Sequence, residues 1–222
     1  MYQAVLLDVF GTLVQDDGEG FNEIAALIAH QAGADPGDVA AEWSACLTAL
    51  ADAAHGSGFR TLADLNLGSL IETAGHFGLR ASDAREMWRA HTESSRPGLL
   101  FDDSLAFLAA VQVPICLVSD ADRDALEVVL AHHGVAVDLV VTSEDARAYK
   151  PRPEPFQLAL QRLELAAADV IHVGDSPERD IGGANDQGID TAFVSRDGRA
   201  LPPNVVATHT VEDLTALVAL LG

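Results

Sequence analysis

The sequence predicts an α/β protein in which a parallel sheet carries helices on its faces and a block of helices is inserted after the first strand. Two observations point there. Short aliphatic runs recur, each ending in a polar residue and separated from the next by a helical stretch. The runs are continuously apolar, as buried parallel strands are, whereas one-sided antiparallel strands alternate.

The first strand is expected at Ala4 to Leu7, followed by a turn through Gly11. From residue 15 to residue 97 no run has strand character. Helical periodicity appears instead in Phe21 to Ile28, Val39 to Ala51, Leu62 to Phe77 and Ala81 to His91, with Gly and Pro between them, so four helices are expected. The chain returns to the sheet at Pro97, and Asp102-Asp103-Ser104 offers N-cap residue types for a helix to about Val111. Strands follow at Ile115 to Val118, Leu139 to Val141, Val170 to Val173 and Thr191 to Val194, with a weaker one at Val205 to Ala207. The expected division is a core of residues 1–14 and 98–222 and a helical domain of residues 15–97.

A chain of 222 residues with 49% hydrophobic content can bury a sizeable core. No apolar run approaches the roughly 18–20 residues that span a bilayer, and the N-terminus shows no basic leader or small-residue cleavage site. A cytoplasmic protein is expected. The formal net charge of -21 repels phosphate backbones and anionic lipid, which disfavours nucleic-acid and membrane partners. A small anionic substrate would then need local help from a divalent cation, helix N-termini or the few basic residues. All but one of the 13 basic residues are arginine, and the single lysine is Lys150. An ammonium differs from a guanidinium in shape, donor geometry and pKa, so this position is expected to require one. Cys46 and Cys116 match no metal spacing and are expected to be buried, inert thiols.

In an open parallel sheet, ligands bind outside the C-terminal ends of the strands, where residues distant in sequence converge. Asp8, Ser119, Lys150, Asp175 and Asp180 all follow such runs. Singly, each has an ordinary explanation as a strand-end carboxylate, a helix cap or a loop residue. Together, a carboxylate nucleophile, a hydroxyl, an ammonium and further carboxylates form a reactive set.

Four segments carry a resemblance. Asp8-Val9-Phe10-Gly11-Thr12-Leu13, Leu117-Val118-Ser119-Asp120, Tyr149-Lys150-Pro151-Arg152-Pro153 and His172-Val173-Gly174-Asp175-Ser176-Pro177-Glu178-Arg179-Asp180 stand in the order, and at the strand ends, of four motifs of the haloacid dehalogenase (HAD) superfamily. The chain resembles that superfamily over essentially its whole length, with the helical insertion in the place of the α-helical cap. The resemblance implies a Rossmann-like fold and a hydrolase with Asp8 as covalent nucleophile. It implies that Ser119, Asp120 and Lys150 bind the phosphoryl group, with Ser119 and Lys150 also catalytic. It further implies a magnesium ion held by Asp8, Asp175 and the backbone carbonyl of Phe10, with Asp180 positioning Lys150. Gly11 would allow the nucleophile loop to turn, and Thr12 would fix it by hydrogen bonding. The expected partner is a small anionic substrate, acted on by a monomer or homodimer.

One position departs from the family's phosphatase pattern. Most phosphatases of the superfamily carry a second aspartate two residues after the nucleophile, as general acid for the leaving group; here Phe10 stands there. A phenyl ring transfers no proton, and such assistance is worth about 10²–10⁴-fold in rate. Three readings follow. A magnesium-dependent phosphohydrolase would act on a substrate with a good leaving group, such as an anhydride, acyl or aryl phosphate. An L-2-haloacid dehalogenase would use Asp8 to displace halide, which needs no acid. Members of that branch resemble this chain in an aromatic residue at Phe10, but they lack the metal-binding aspartate and use an arginine early in the cap, for which Arg60 is the nearest candidate. A non-catalytic binding protein is the third. Asp16 or Asp17 could supply a substitute acid, and Arg60, Asn66, His76 and Trp88 of the cap could reach substrate. Retention of Asp175 favours the phosphohydrolase.

Overall fold

The protein is described from a computed structural model that covers residues 1–16 and 18–221. Its strands are β1 (Ala4–Leu7), β2 (Ile115–Ser119), β3 (Leu139–Thr142), β4 (Val170–Gly174), β5 (Asp190–Val194) and β6 (His209–Val211). They form one parallel sheet in the order β3-β2-β1-β4-β5-β6. The chain builds outward from β1 to β3 and then returns to the other side of β1. That reversal opens a crevice at the C-terminal ends of β1 and β4, the usual ligand position in such sheets.

Helices α1 (Glu19–Ala32), α2 (Pro36–Ala53), α3 (Leu62–His76) and α4 (Ala81–Ser94) occupy the interval between β1 and β2. The connections that follow carry α5 (Ser104–Ala110), α6 (Arg123–His133), α7 (Ser143–Ala146) and α8 (Pro153–Leu163). The chain divides into two compact units, one of them Met1–Asp16 with the stretch from Gly98 onward, the other the helical stretch ending at Pro97. Gln15 stays with the sheet because its N–H donates to the Leu99 carbonyl at 2.7 Å.

Successive residues of a strand face opposite sides of a sheet, and here both sides are covered. Val5 and Leu7 of β1, with Leu117, Ile171 and Val194, pack against Phe107 of α5, Leu126 and Val129 of α6 and the C-terminal Leu214, Leu217 and Leu221. Ala4 and Leu6, with Cys116, Val118 and Val170, pack against Phe156 and Ala159 of α8 and against Ala184 and Ile189. This three-layer arrangement is why the strands read as continuous apolar runs. The helical unit has a separate core, in which Ile24 and Ile28 of α1, Val39 and Trp43 of α2, Leu70 of α3 and Ala84 of α4 meet. Phe21 stacks on Trp43 with ring centroids 4.0 Å apart, and the indole N–H donates to Ser69 Oγ at 2.9 Å. Among the described residues no helix is long and apolar enough to cross a membrane.

Three local expectations need correction. The edge strand lies at His209–Val211 rather than Val205 to Ala207, because the Val205 N–H is taken by the Pro202 carbonyl at 2.9 Å in a turn, and the chain pairs with Ala192 only from His209. Asp103 precedes α5 but its side chain makes no capping bond. Its carboxylate instead accepts from Arg196 Nη1 at 3.0 Å and from the Leu214 N–H at 2.6 Å. Cys116 is buried, whereas Cys46 is only half-buried and donates to Glu72 at 3.3 Å.

Candidate active site

Asp8 extends β1 by one rung, its N–H donating to the Val173 carbonyl of β4 at 2.9 Å. The loop that follows folds back on itself, with the Leu13 and Val14 N–H groups both reaching the Val9 carbonyl at 2.8 Å. Gly11 has φ +87°, and a Cβ there would lie 2.6 Å from the Asp175 carboxylate, so both the turn and the close approach of the two loops demand glycine. Thr12 does not fix the loop through its side chain: its Oγ1 is buried without a partner, and its carbonyl accepts from Arg196 at 2.5 Å. Phe10 lies partly buried against the hydrophobic cluster on the α5 and α6 side of the sheet.

Lys150 joins the elements. Its Nζ donates to Asp8 Oδ1 at 2.7 Å and to Asp180 Oδ1 at 2.6 Å, with all three side chains less than a tenth exposed. Asp180 is reached by two more donors, the Ser176 N–H at 2.9 Å and His172 Nε2 at 3.0 Å. Gly174 allows this, since a Cβ there would stand 2.3 Å from the Asp180 carboxyl carbon. Burial works to raise the Asp180 carboxyl, but Lys150 and then His172 outweigh it and hold it well below the usual carboxylate range. Burial pushes Asp8 the other way, upward, against the pull of Lys150. For Lys150 itself, desolvation is outweighed by Asp180, Asp8 and Asp120, so the ammonium stays charged.

Ser119 ends β2, buried, and its Oγ accepts from the Ala121 N–H at 3.2 Å, which leaves the hydroxyl proton to donate. The carboxylate of Asp120, a residue expected at the phosphoryl group, has protein partners of its own. One oxygen accepts from the Lys150 N–H at 2.9 Å and the other from Arg179 Nη1 at 3.3 Å, so it braces the Lys150 loop.

Asp175 follows β4 and is half-exposed. Arg199 Nη2 donates to its carbonyl at 2.6 Å and to its Oδ2 at 3.1 Å. Burial, then Asp180, push the Asp175 carboxyl up to about 6, with Arg199 opposing. Carboxylate oxygens of Asp8, Asp175 and Asp180 lie within 4.8 Å of one another. Asp8 Oδ2 is buried with no hydrogen-bond partner, an arrangement costly to a carboxylate unless something positive meets it. Hard oxygen donors at this spacing, one of them orphaned, fit a small divalent cation.

Beside Asp175 opens a cavity of about 200 Å³ whose lining includes Gly11, Asp16, Phe101, Arg196 and Arg199. Asp16 therefore borders the site, while Asp17 lies outside the described residues. In the helical unit, Arg60 donates to the Asp64 carbonyl at the start of α3, at 3.0 Å, and His76 contacts Glu42 at 2.5 Å. The Asn66 carbonyl accepts from Ser69, and the Trp88 ring lies 5.7 Å from that of His91. The sequence reading missed His172 and Arg199. His172 stands inside the fourth motif, and strand alternation alone shows which face it takes. Arg199 lies in the loop beyond β5, outside the four motif segments.

A family model described as haloacid dehalogenase-like hydrolase matches residues 2–188. The chain is 32% identical over 137 residues to haloacid dehalogenase-like hydrolase domain-containing protein 3 of Danio rerio, covering 60% of this chain and 53% of that protein. It is 32% identical over 139 residues to a phosphoserine phosphatase of Thermus thermophilus, covering 59% and 55%. The chain spans about half the length of the curated relatives it matches. Among solved structures, the defluorinating L-2-haloacid dehalogenase Rha0230 superimposes with a TM-score of 0.72 at 26% identity, covering 99% of this chain and 95% of that one.

Proposed function

The chain belongs to the haloacid dehalogenase-like hydrolase family, and we propose that within it the protein is a magnesium-dependent phosphohydrolase acting on a small phosphorylated metabolite through an aspartyl-phosphate on Asp8. The observation that supports this most is the unpartnered, buried Asp8 Oδ2 grouped with Asp175. A carboxylate set of this kind would hold a cation that neutralises charge at a phosphoryl group, and halide displacement has no use for one. The phosphatases among the relatives point the same way.

Asp8 attacks phosphorus, forming a P–O bond as the bond to the leaving group breaks, and the leaving group departs with the electron pair. Water then attacks the phosphorus, releasing phosphate and restoring the carboxylate. Lys150 neutralises charge on Asp8 and on the phosphoryl oxygens, and Ser119 donates its hydroxyl proton to one of those oxygens. Asp180, fixed by His172 and the Ser176 N–H, aims the ammonium. Asp8 and Asp175, with the Phe10 carbonyl, would hold the magnesium ion, which supplies charge neutralisation at the transferring group. With Phe10 unable to give a proton, the leaving group must depart as an anion, so anhydride, acyl and aryl phosphates fit better than alkyl esters.

A second reading, L-2-haloacid dehalogenase, draws support from Phe10 and from the dehalogenases among the structural neighbours. Assay of purified protein against acetyl phosphate, an aryl phosphate and L-2-chloropropionate, with magnesium or with EDTA, separates the two. Phosphate release that EDTA stops is expected; chloride release indifferent to EDTA would overturn the proposal. Asp8→Asn should lower turnover by ~10⁴-fold or more, because an amide is a poor nucleophile, and turnover within tenfold of wild type would refute the covalent route. Phe10→Asp should raise alkyl-phosphate hydrolysis by about 10²-fold. No gain would show that the absent acid is not what limits these substrates.

A further inference from the structure

We propose that Arg199 is a resident counter-cation for Asp175 and that it sets how tightly the site takes a divalent metal. The inference rests on the metal reading above. Asp8, Asp175, Asp180 and Asp120 all lie near Lys150, whose single ammonium bonds directly to two of them. Asp175, farthest toward the solvent, has Arg199 instead, held by its carbonyl and by its carboxylate at once. A guanidinium in that place keeps the carboxylate charged and oriented when no metal is bound. A divalent ion joining the same carboxylate would stand on the order of 6 Å from it, and repulsion between two positive charges and one at that distance costs about tenfold in affinity even at a water-like dielectric.

Arg199 also has somewhere to go. Its Nε lies 3.8 Å from Asp197 Oδ1, an oxygen that already accepts from the Arg199 backbone N–H at 3.1 Å. Its side chain is 47% exposed, so a small rotation exchanges Asp175 for Asp197 without unpacking the core. The loop beyond β5 thereby offers two acceptors for one guanidinium, and a metal at Asp175 favours the second.

Calorimetric titration of magnesium chloride into metal-stripped protein tests this independently of turnover. Arg199→Gln should tighten magnesium binding by about tenfold, and Asp197→Asn, which removes the alternative acceptor, should weaken it by about twofold. Arg179→Gln is the charge control, since it removes a comparably exposed arginine, 41% against 47%, whose partner is Asp120. Arg199→Gln binding no tighter than wild type overturns the inference, because Arg199 would then be organising Asp175 for the metal. Equal tightening by Arg179→Gln also overturns it, by reducing the effect to net charge. Binding by Arg199→Gln when wild type binds none would support it. If neither protein binds magnesium, the metal reading fails and this one with it; if wild type binds and the variants match it, only this one fails.

Discussion

One set of ion pairs in each unit of the molecule marks an opposite extreme of solvent exposure. In the sheet unit, Lys150 comes from the loop after α7, Asp8 from the end of β1 and Asp180 from the helical turn that follows β4, and their side chains are 3%, 8% and 2% exposed. In the helical unit the arginine pairs of α4 are local and wet: Arg89 meets Glu93 one turn along the helix with the side chains 63% and 62% exposed, and Arg80 meets Asp83 at its start. Charge and distance are similar in the two sets. What differs is the solvent. A buried charge is tolerable only when several partners surround it, so the sheet unit must assemble a network, whereas water already satisfies each exposed charge.

The largest effect should therefore come from removing the one cation that the buried carboxylates share. Lys150→Met should destabilise the protein by about 3–5 kcal/mol at neutral pH, read from urea denaturation. The pH dependence has a definite sign. Without the ammonium, Asp8 and Asp180 hold protons in the folded state that they lose in the unfolded chain, so the folded state binds more protons and stability falls as pH rises above about 4. A loss under about 1 kcal/mol, or one that grows as the pH falls, would break the comparison.

Asp145 is an intermediate case. It accepts from the Thr142 N–H at 3.0 Å, from Arg123, and from Arg162 at 3.4 Å, with 18% of its side chain exposed. Burial works to raise its carboxyl, but the Thr142 N–H, Arg123 and Arg162 outweigh it and lower the pKa. A depressed carboxylate adds stability above its unfolded pKa of about 4 and loses it as pH falls through the lower folded value. Asp145→Asn should cost about 1 kcal/mol at neutral pH, and the gap to wild type should close as the pH falls below about 4. A gap that persists in acid would show that Asp145 acts through packing rather than charge.

The same contrast explains what the sequence disclosed. Five strands and the residues that end them were legible, because burial on both faces writes continuous apolar runs and the sheet's crevice collects whatever polar residue comes next. Asp8, Ser119 and Asp175 lie at those ends, whereas Lys150 follows α7 rather than β3 and Asp180 lies in the helical turn beyond Asp175; the structure still brings Asp8, Lys150, Asp175 and Asp180 within reach of one another. His172 was harder to read because its role depends on which sheet face it takes, a matter of alternation along β4 and of Phe156 standing edge-on to it at 5.1 Å. Arg199 was hidden because it lies outside the four motif segments, in the loop beyond β5. Asp120 and Thr12 were assigned by neighbourhood, and the structure gave their polar groups other surroundings. The edge strand β6 was misplaced because an edge is half-exposed, and its burial no longer marks its limits.

The smallest effect belongs to the surface of α4. Arg89 donates to Glu93 Oε1 at 2.9 Å and Oε2 at 3.2 Å, geometry as good as that around Lys150. Yet an exposed pair one helical turn apart contributes only about 0.3–0.5 kcal/mol, because water competes for both groups and two long side chains must be held still. Alanine also favours the helix slightly over arginine, which offsets part of the loss. Arg89→Ala should therefore change the unfolding free energy by less than about 0.5 kcal/mol, and raising the salt concentration should shrink even that. A cost above about 1 kcal/mol, measured under the same denaturation conditions as Lys150→Met, would mean that geometry rather than solvent sets the value of these pairs.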